Sequence, residues 1–205
     1  MARPLADSAL GEVLVAPPPT VAPMTQVRGT LISASLKTIL DHGYGDRYFA
    51  ALPKPLHDTM RGVIALSWVP EPTAMAHYQA CEALSLSAQE AFAIGAEVGT
   101  HVRATLLGTL VSVAREVGTT PWLYLERLPR LYPRVCIGGA VAIYKLGPKE
   151  ARMEWYGLRG LELSYFRVSF RGAQQAIIEL FCTKAYVTEA KCIGGGDRAF
   201  KASWA

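Results

Sequence analysis

Hydrophobic positions in the first two thirds of the chain recur mainly at helical spacing. The clearest example spans residues 87–117, where few charges interrupt the apolar residues, so most of the helix circumference is expected to be buried. Ser87 and Glu90 have the spacing of a capping box at its start, and Gly118 is suited to end it. The pattern predicts one long buried helix with a break near Gly99.

Shorter helices are predicted on both sides of this segment, with prolines or glycines at several of their ends. They span residues 33–42, 46–52, 54–64, 73–84 and 121–132. The segment Ser67-Trp68-Val69-Pro70-Glu71-Pro72 is predicted to be a rigid connector, because its prolines restrict the backbone.

The periodicity changes near residue 138, where Val, Ile and Tyr become frequent. Strands are predicted at 138–146, 151–156, 183–192 and 200–204. The first two flank Gly147–Glu150, a turn sequence that predicts a β-hairpin. Apolar residues between 163 and 180 recur at gaps of three and four, which is typical of an amphipathic helix. The glycine-rich residues 193–197 are predicted to form a flexible hairpin loop rather than a phosphate site, because a strand follows them and not a helix.

This order of elements predicts the α+β class, with helices packed on one small twisted antiparallel sheet. An early strand within residues 26–32 is expected to complete the sheet. A single domain is predicted over 24–205. Residues 1–23 are predicted to be a Pro-rich amino-terminal tail, although the apolar Val13–Val15 would allow part of it to dock.

The composition narrows the classes of protein further. Hydrophobic residues make up 51% and charged residues 19%, which favours a sizeable core over disorder. The formal net charge is +4 and the basic residues are scattered, so neither a nucleic-acid groove nor a polybasic membrane patch is predicted. The longest apolar stretch of the folded part, 104–114, is too short for a membrane span. Without a recognisable signal peptide, we expect a cytoplasmic protein whose four cysteines are reduced.

No catalytic motif appears in the chain. It contains no phosphate-binding loop ending in Lys-Ser or Lys-Thr, no Gly-x-Ser-x-Gly elbow and no His-Glu-x-x-His. His77 and Cys81 are four residues apart on one helix face, but two ligands do not make a metal site. We therefore predict no catalytic residue, no metal and no cofactor.

Six residues are candidates for binding a small hydrophobic ligand. Trp68, Tyr78, Trp122 and Tyr124 have apolar bodies with polar tips, which can line an apolar cavity and orient its occupant. His77 and His101 fall in apolar helices, where an imidazole can face a ligand. The alternative for all six is that they fill the core with their polar atoms hydrogen-bonded.

Five short motifs resemble a paralogous family of unknown function that is abundant in myxobacteria. They are Val27-Arg28-Gly29-Thr30, His42-Gly43, Leu52-Pro53, Ser67-Trp68-Val69-Pro70 and Pro129-Arg130-Leu131-Tyr132. The resemblance spans residues 25–204 and implies no activity, because none is established for that family.

The carboxy-terminal segment resembles the four-vinyl-reductase domain, which ends in Cys, three residues, Gly-Asp, two residues, Cys and an aromatic-containing strand. Cys192, Gly196 and Asp197 match, but Phe200 stands at the position of the second cysteine, which argues against a two-cysteine metal or redox role. Domains of this type share a fold with haem-NO-binding sensors and transport-protein-particle (TRAPP) subunits. The resemblance implies a hydrophobic cavity between helices and sheet, and frequently a homodimer. The haem-sensor signature Tyr-x-Ser-x-Arg is absent, so the resemblance does not extend to haem.

Two functional hypotheses follow. The first is a non-catalytic sensory module that binds a small hydrophobic ligand in an apolar cavity and relays its presence to a partner protein. The second is a scaffold or assembly subunit that uses the same fold for protein–protein contacts, with the amino-terminal tail docking on a partner.

Overall fold

The computed structural model describes residues 11–106 and 120–205 and confirms the α+β class. The longer helices are α1 (Gly29–Asp41), α2 (Gly45–Ala51), α4 (Glu71–Glu82), α5 (Ala88–Leu106), α6 (Pro121–Leu131) and α7 (Ser164–Ile178), and α3 (His57–Arg61) is a single short turn. The strands are β1 (Glu12–Val15), β2 (Gln26–Arg28), β3 (Trp68–Pro70), β4 (Cys136–Ile137), β5 (Ala140–Gly147), β6 (Glu150–Tyr156), β7 (Ala185–Ala190) and β8 (Arg198–Trp204). Within these residues, no helix combines the length and apolar character needed to cross a bilayer.

The main sheet has five antiparallel strands in the order β1-β5-β6-β8-β7. The predicted hairpin is confirmed as β5 and β6, and the two carboxy-terminal strands as β7 and β8. The edge strand β1 comes from the segment predicted to be a tail: Glu12 pairs with Lys145 and Val13 with Tyr144. Part of that segment therefore docks on the sheet of its own chain.

The prediction that an early strand completes this sheet is wrong. β2 is only three residues long and lies at the centre of a separate antiparallel sheet in the order β3-β2-β4. The predicted rigid connector therefore contains a strand, Trp68–Pro70, which pairs with β2. The chain turns into α1 at Gly29, so the second half of the predicted strand is helical.

The long central helix α5 packs against α7 through small residues. A methyl group added at Gly95 would lie 1.8 Å from the Ser169 carbonyl oxygen, and one at Gly172 would lie 2.1 Å from that of Phe92. Glycine is required at both positions because the two backbones touch. The helix continues through Gly99, so the predicted break is absent there. The residues predicted to complete this helix beyond Leu106, and the cap at Gly118, lie outside the described residues.

The capping box at the start of α5 is confirmed. The Glu90 backbone N–H donates to Ser87 Oγ at 3.2 Å, and the Ser87 backbone N–H donates to Glu90 Oε2 at 2.9 Å. Two reciprocal hydrogen bonds thus fix the start of the helix, as the spacing of Ser87 and Glu90 predicted.

Candidate functional site

A cavity of about 170 Å³ lies between the helices and the inner face of the sheets. Its helical wall is formed mainly by side chains or backbone of α5 and α7, with further residues from α1, α4 and α6. The α5 and α7 residues in the wall are Ile94, Gly95, Val98, Gly99, Val102, Tyr165, Phe166, Ser169, Phe170, Ala173, Gln174 and Ile177. Trp155 of β6, Val27 of β2 and Cys136 of β4 form part of the opposite wall. Gly95, which allows α5 and α7 to touch, therefore also lines the cavity.

Three buried hydrogen-bond donors in the wall have no well-formed hydrogen bond within the described residues. They are the hydroxyls of Tyr132 and Tyr165 and the indole Nε1 of Trp155. The Tyr132 hydroxyl faces the thiol of Cys136, and the Tyr165 hydroxyl faces the thiol of Cys81 and the hydroxyl of Ser35, but none of these contacts is a well-formed hydrogen bond. Buried polar groups in native proteins are nearly always paired. A mostly apolar cavity lined by three residues that carry such donors is suited to a molecule with a hydrogen-bond acceptor.

The described residues of the wall are uncharged at neutral pH, apart from Arg134, which is exposed. Burial raises the pKa of the Cys136 thiol to about 12 and raises the pKa of Tyr132 and Tyr165 above the usual tyrosine value. The Cys136 thiol therefore stays protonated and is a poor nucleophile.

Two of the six predicted ligand-binding residues, Tyr78 and Tyr124, line the cavity. The Tyr124 hydroxyl donates to Gln174 Oε1 at 3.0 Å, and the Tyr78 ring packs edge-on to Phe166 with centroids 4.3 Å apart. Tyr78 lies on α4 and Tyr124 on α6, within the helices predicted over 73–84 and 121–132.

His77 is buried but does not line the cavity. Its Nδ1 lies 2.8 Å from the Tyr48 hydroxyl and its Nε2 lies 2.9 Å from Ser35 Oγ, so both ring nitrogens are hydrogen-bonded. Burial lowers its pKa to about 3, which keeps the ring neutral. His77 is therefore a hydrogen-bonded core histidine, which is the alternative to ligand binding given in the sequence analysis.

The remaining three candidates also lie outside the cavity wall. Trp68 stacks under the Arg28 guanidinium, 3.8 Å from the ring centroid. Trp122 donates its indole N–H to the Pro148 carbonyl oxygen at 2.9 Å and packs against a β8 aromatic ring. His101 is exposed on α5. These positions depend on long-range packing that residue type alone does not specify.

Sequence reasoning did not single out the cavity residues Tyr132, Trp155 and Tyr165. Tyr132 ends the motif that begins at Pro129, and Tyr165 lies on the amphipathic helix between the apolar Leu163 and Phe166. Side chains alternate along β6, so Trp155 lies on the same face of the sheet as Met153. This alternation is the one sequence signal that indicates which face Trp155 occupies.

The other face of β6 carries a buried ion pair. Arg152 Nε lies 2.9 Å from Glu154 Oε1, and both side chains are almost fully buried. The Glu154 carboxylate also accepts backbone N–H groups from Ile193, Gly194 and Gly196 at 2.9–3.3 Å. The predicted glycine-rich loop is thereby held against the sheet by an internal carboxylate. Among the described residues, no group of three or more His, Cys, Asp or Glu is placed to hold a metal ion.

No protein-family model matches this chain, and no curated protein matches it either. Solved structures of H-NOX proteins do. The H-NOX protein from K. algicida, in its Fe(II) unliganded form, is 10% identical over 87% of this chain and 96% of its own, with a TM-score of 0.62. An oxygen-binding H-NOX domain related to soluble guanylate cyclases, in its oxygen complex, is 12% identical over 86% of this chain and 94% of its own, with a TM-score of 0.58.

Haem is the group that the H-NOX family binds, and it does not fit the described cavity. Pockets for drug-sized ligands are roughly 300–1,000 Å³, and a haem needs more room than the cavity here offers. No histidine is among the described lining residues, and both nitrogens of His77 are already hydrogen-bonded within the core. The described wall residues thus offer neither the space nor the imidazole that commonly holds haem iron. The chain has the α+β fold of the H-NOX domains, and the described residues around its cavity are not arranged for haem.

Proposed function

We propose that this chain is a non-catalytic binding module for a small, neutral, largely apolar molecule that carries at least one hydrogen-bond acceptor. The observation that carries the proposal is the pairing of an apolar cavity with three buried donors, on Tyr132, Tyr165 and Trp155. An occupant with a carbonyl, ether or phenolic oxygen would satisfy donors that otherwise lack good partners.

The size of the cavity limits the occupant. An engineered apolar cavity of about 150 Å³ binds benzene, so about 170 Å³ suits a substituted single ring or a molecule of similar size. Because the buried wall is uncharged, an ion would lose its hydration without compensation. Neutral ligands are therefore expected to bind in preference to their ionised relatives.

Similarity to the H-NOX fold supports a sensory use of the site. The wall is built from five helices and both sheets, so an occupant would contact elements that are distant in sequence. We infer that occupancy stabilises the packing of α5 on α7 and that a partner protein reads this difference. The alternative of a scaffold whose tail docks on a partner is disfavoured by the pairing of Glu12–Val15 with the chain's own β5.

The experiment is a thermal-shift and calorimetric titration with phenol, benzene and benzoate at neutral pH. We expect phenol to bind more tightly than benzene, because it can accept from the free donors, and benzoate to bind least. The variant Val98→Phe should fill part of the cavity and abolish binding. Thr100→Phe, which adds a ring at an exposed position of the same helix, should retain it.

Failure of every neutral probe to bind the wild-type chain would contradict the proposal, and so would equal binding by Val98→Phe. Benzoate binding more tightly than phenol would show that a positive group controls the site and would contradict its neutral character.

A further inference from the structure

The two most exposed large apolar side chains of the described residues lie together on one loop. Ile64 is 69% exposed and Leu66 is 81% exposed, on the segment between α3 and β3. The loop, residues 63–67, is outside the cavity wall and takes no part in the proposed ligand site. An apolar pair in this position requires an explanation, since burying either side chain in an apolar phase would be favourable.

The loop is held in shape by the start of α1. The backbone N–H and the hydroxyl of Thr30 both donate to the Ala65 carbonyl oxygen, at 2.8 and 2.7 Å. The Gly29 N–H donates to the Ser67 carbonyl oxygen at 2.8 Å. A methyl group at Gly29 would lie 2.1 Å from the Ile64 carbonyl oxygen, so glycine is needed for this close approach.

Two further carbonyl groups of the loop are also hydrogen-bonded. The Ile64 carbonyl oxygen accepts from the backbone N–H and hydroxyl of Ser67, at 3.0 and 2.7 Å, and that of Leu66 accepts from Arg28 Nη1 at 2.8 Å. Four consecutive carbonyl oxygens, from Ile64 to Ser67, are therefore paired within the chain. The loop presents apolar side chains while its four carbonyl acceptors are satisfied, which lowers the free-energy cost of moving it out of water.

One cationic group, Arg28, contacts the loop that carries the apolar pair, and two further arginines lie near it in space or in sequence. The Arg28 guanidinium bonds the loop, stacks on Trp68 and donates to the Arg134 carbonyl oxygen at 3.2 Å. Within the described part of the chain, neither Arg28 nor Arg134 makes an ion pair. Arg61, three residues before Ile64, makes an exposed one with Asp58 at 3.7 Å. Because the three arginines are far apart in sequence, no basic cluster is visible in the sequence itself.

We propose that loop 63–67 is a docking surface for a membrane that contains anionic lipid. Ile64 and Leu66 would enter the outer part of the acyl region, Trp68 would lie at the headgroup level and the arginines would face lipid phosphates. An exposed apolar pair beside arginines that make no ion pair within the described residues matches a bilayer with anionic lipid, which is apolar inside and negatively charged at its surface. The association would be reversible, since two apolar side chains and a few charges fall short of a stable anchor.

The test is flotation of the full-length chain with vesicles of phosphatidylcholine alone and of phosphatidylcholine with about one third phosphatidylserine. We expect binding to the anionic vesicles that weakens as salt is raised. Ile64→Ser and Leu66→Ser should each reduce partitioning about tenfold or more. Gly29→Ala should also reduce it, because the loop must move. Ile193→Ser is the matched control, since Ile193 is 44% exposed on the loop that covers the main sheet, and it should leave partitioning unchanged.

Three outcomes would overturn the proposal. One is failure of the wild-type chain to bind anionic vesicles at low salt, and another is equal binding by wild type and both serine variants. The third is a wild-type dimer that Leu66→Ser converts to a monomer, because the loop would then be a self-association surface. Unchanged melting temperatures of the serine variants would exclude misfolding as the cause of lost binding.

Discussion

The two faces of strand β6 bury polar groups in opposite ways. On the face toward the loop 193–197, the Arg152–Glu154 pair is enclosed and Glu154 accepts three backbone N–H groups as well. On the face toward the helices, Trp155 borders an apolar cavity and its indole N–H has no partner among the described residues. A buried ion pair whose carboxylate also accepts three backbone N–H groups holds the loop rigidly, whereas neutral donors without a hydrogen bond leave binding capacity.

The largest effect on stability is expected at the buried Arg152–Glu154 ion pair. Glu154→Ala leaves Arg152 buried without its carboxylate and removes the acceptor of three loop N–H groups, so the free energy of unfolding should fall by about 3–5 kcal/mol. Urea denaturation measures this. Glu150→Ala on the same strand removes an exposed ion pair with Lys201, at 2.8 Å, and should cost at most about 1 kcal/mol. Equal losses of unfolding free energy in the two variants would show that the Arg152–Glu154 pair does not hold the loop against the sheet.

The contacts on the cavity face are closest where α5 meets α7. Gly95→Ala places a methyl group 1.8 Å from the Ser169 carbonyl oxygen, so the helices must separate, at a cost of about 1–3 kcal/mol. The separation should also change the affinity for phenol, because both residues line the cavity. Gly147→Ala is the control: its nearest contact would be 3.9 Å away, and its effect on unfolding should be small. A stable Gly95→Ala protein with unchanged phenol affinity would contradict this packing.

The helical layer also contains one polar network that is fully paired, around His77. Burial lowers the pKa of His77 to about 3, whereas the unfolded chain should titrate near about 6.5. Because the folded pKa is the lower one, the stabilisation is complete above pH 6.5 and is lost as the pH falls towards 3. The contribution should decrease by about 1.4 kcal/mol for each pH unit in that range.

Urea denaturation between pH 7 and pH 5 measures this slope. His77→Phe should lower stability at pH 7, because the hydroxyls of Tyr48 and Ser35 lose their partner, and it should flatten the pH dependence. His101→Phe, at an exposed position on α5, should keep the wild-type slope. If His77→Phe kept a steep dependence of stability on pH, that dependence would belong to other titratable groups.

Local patterns predicted much of the fold and little of the site. Helix α7 and the β5–β6 hairpin are encoded by spacing within the segment itself, so periodicity was sufficient for both. Strand β2 is three residues long and pairs with strands about 40 and 110 positions away, so no local signal could assign its sheet. The site depends on the same kind of distant contact: Tyr78 and Tyr124 line the cavity, while Trp68 packs against Arg28 and Trp122 against the end of β8.

Removing a single hydroxyl should have the smallest effect on stability. It is also the most specific test of the contrast between the two faces of β6. Tyr165→Phe deletes a buried donor that lacks a good partner, so the free energy of unfolding without ligand should stay within about 1 kcal/mol of wild type or increase slightly. Tyr124→Phe instead removes the partner of the buried Gln174 and should cost about 1–3 kcal/mol. Phenol affinity should fall in Tyr165→Phe while benzene affinity is retained, as calorimetry would measure. If Tyr165→Phe proved as costly as Tyr124→Phe, its hydroxyl would be paired in the free protein, and the donor available to a ligand would have to be Tyr132 or Trp155.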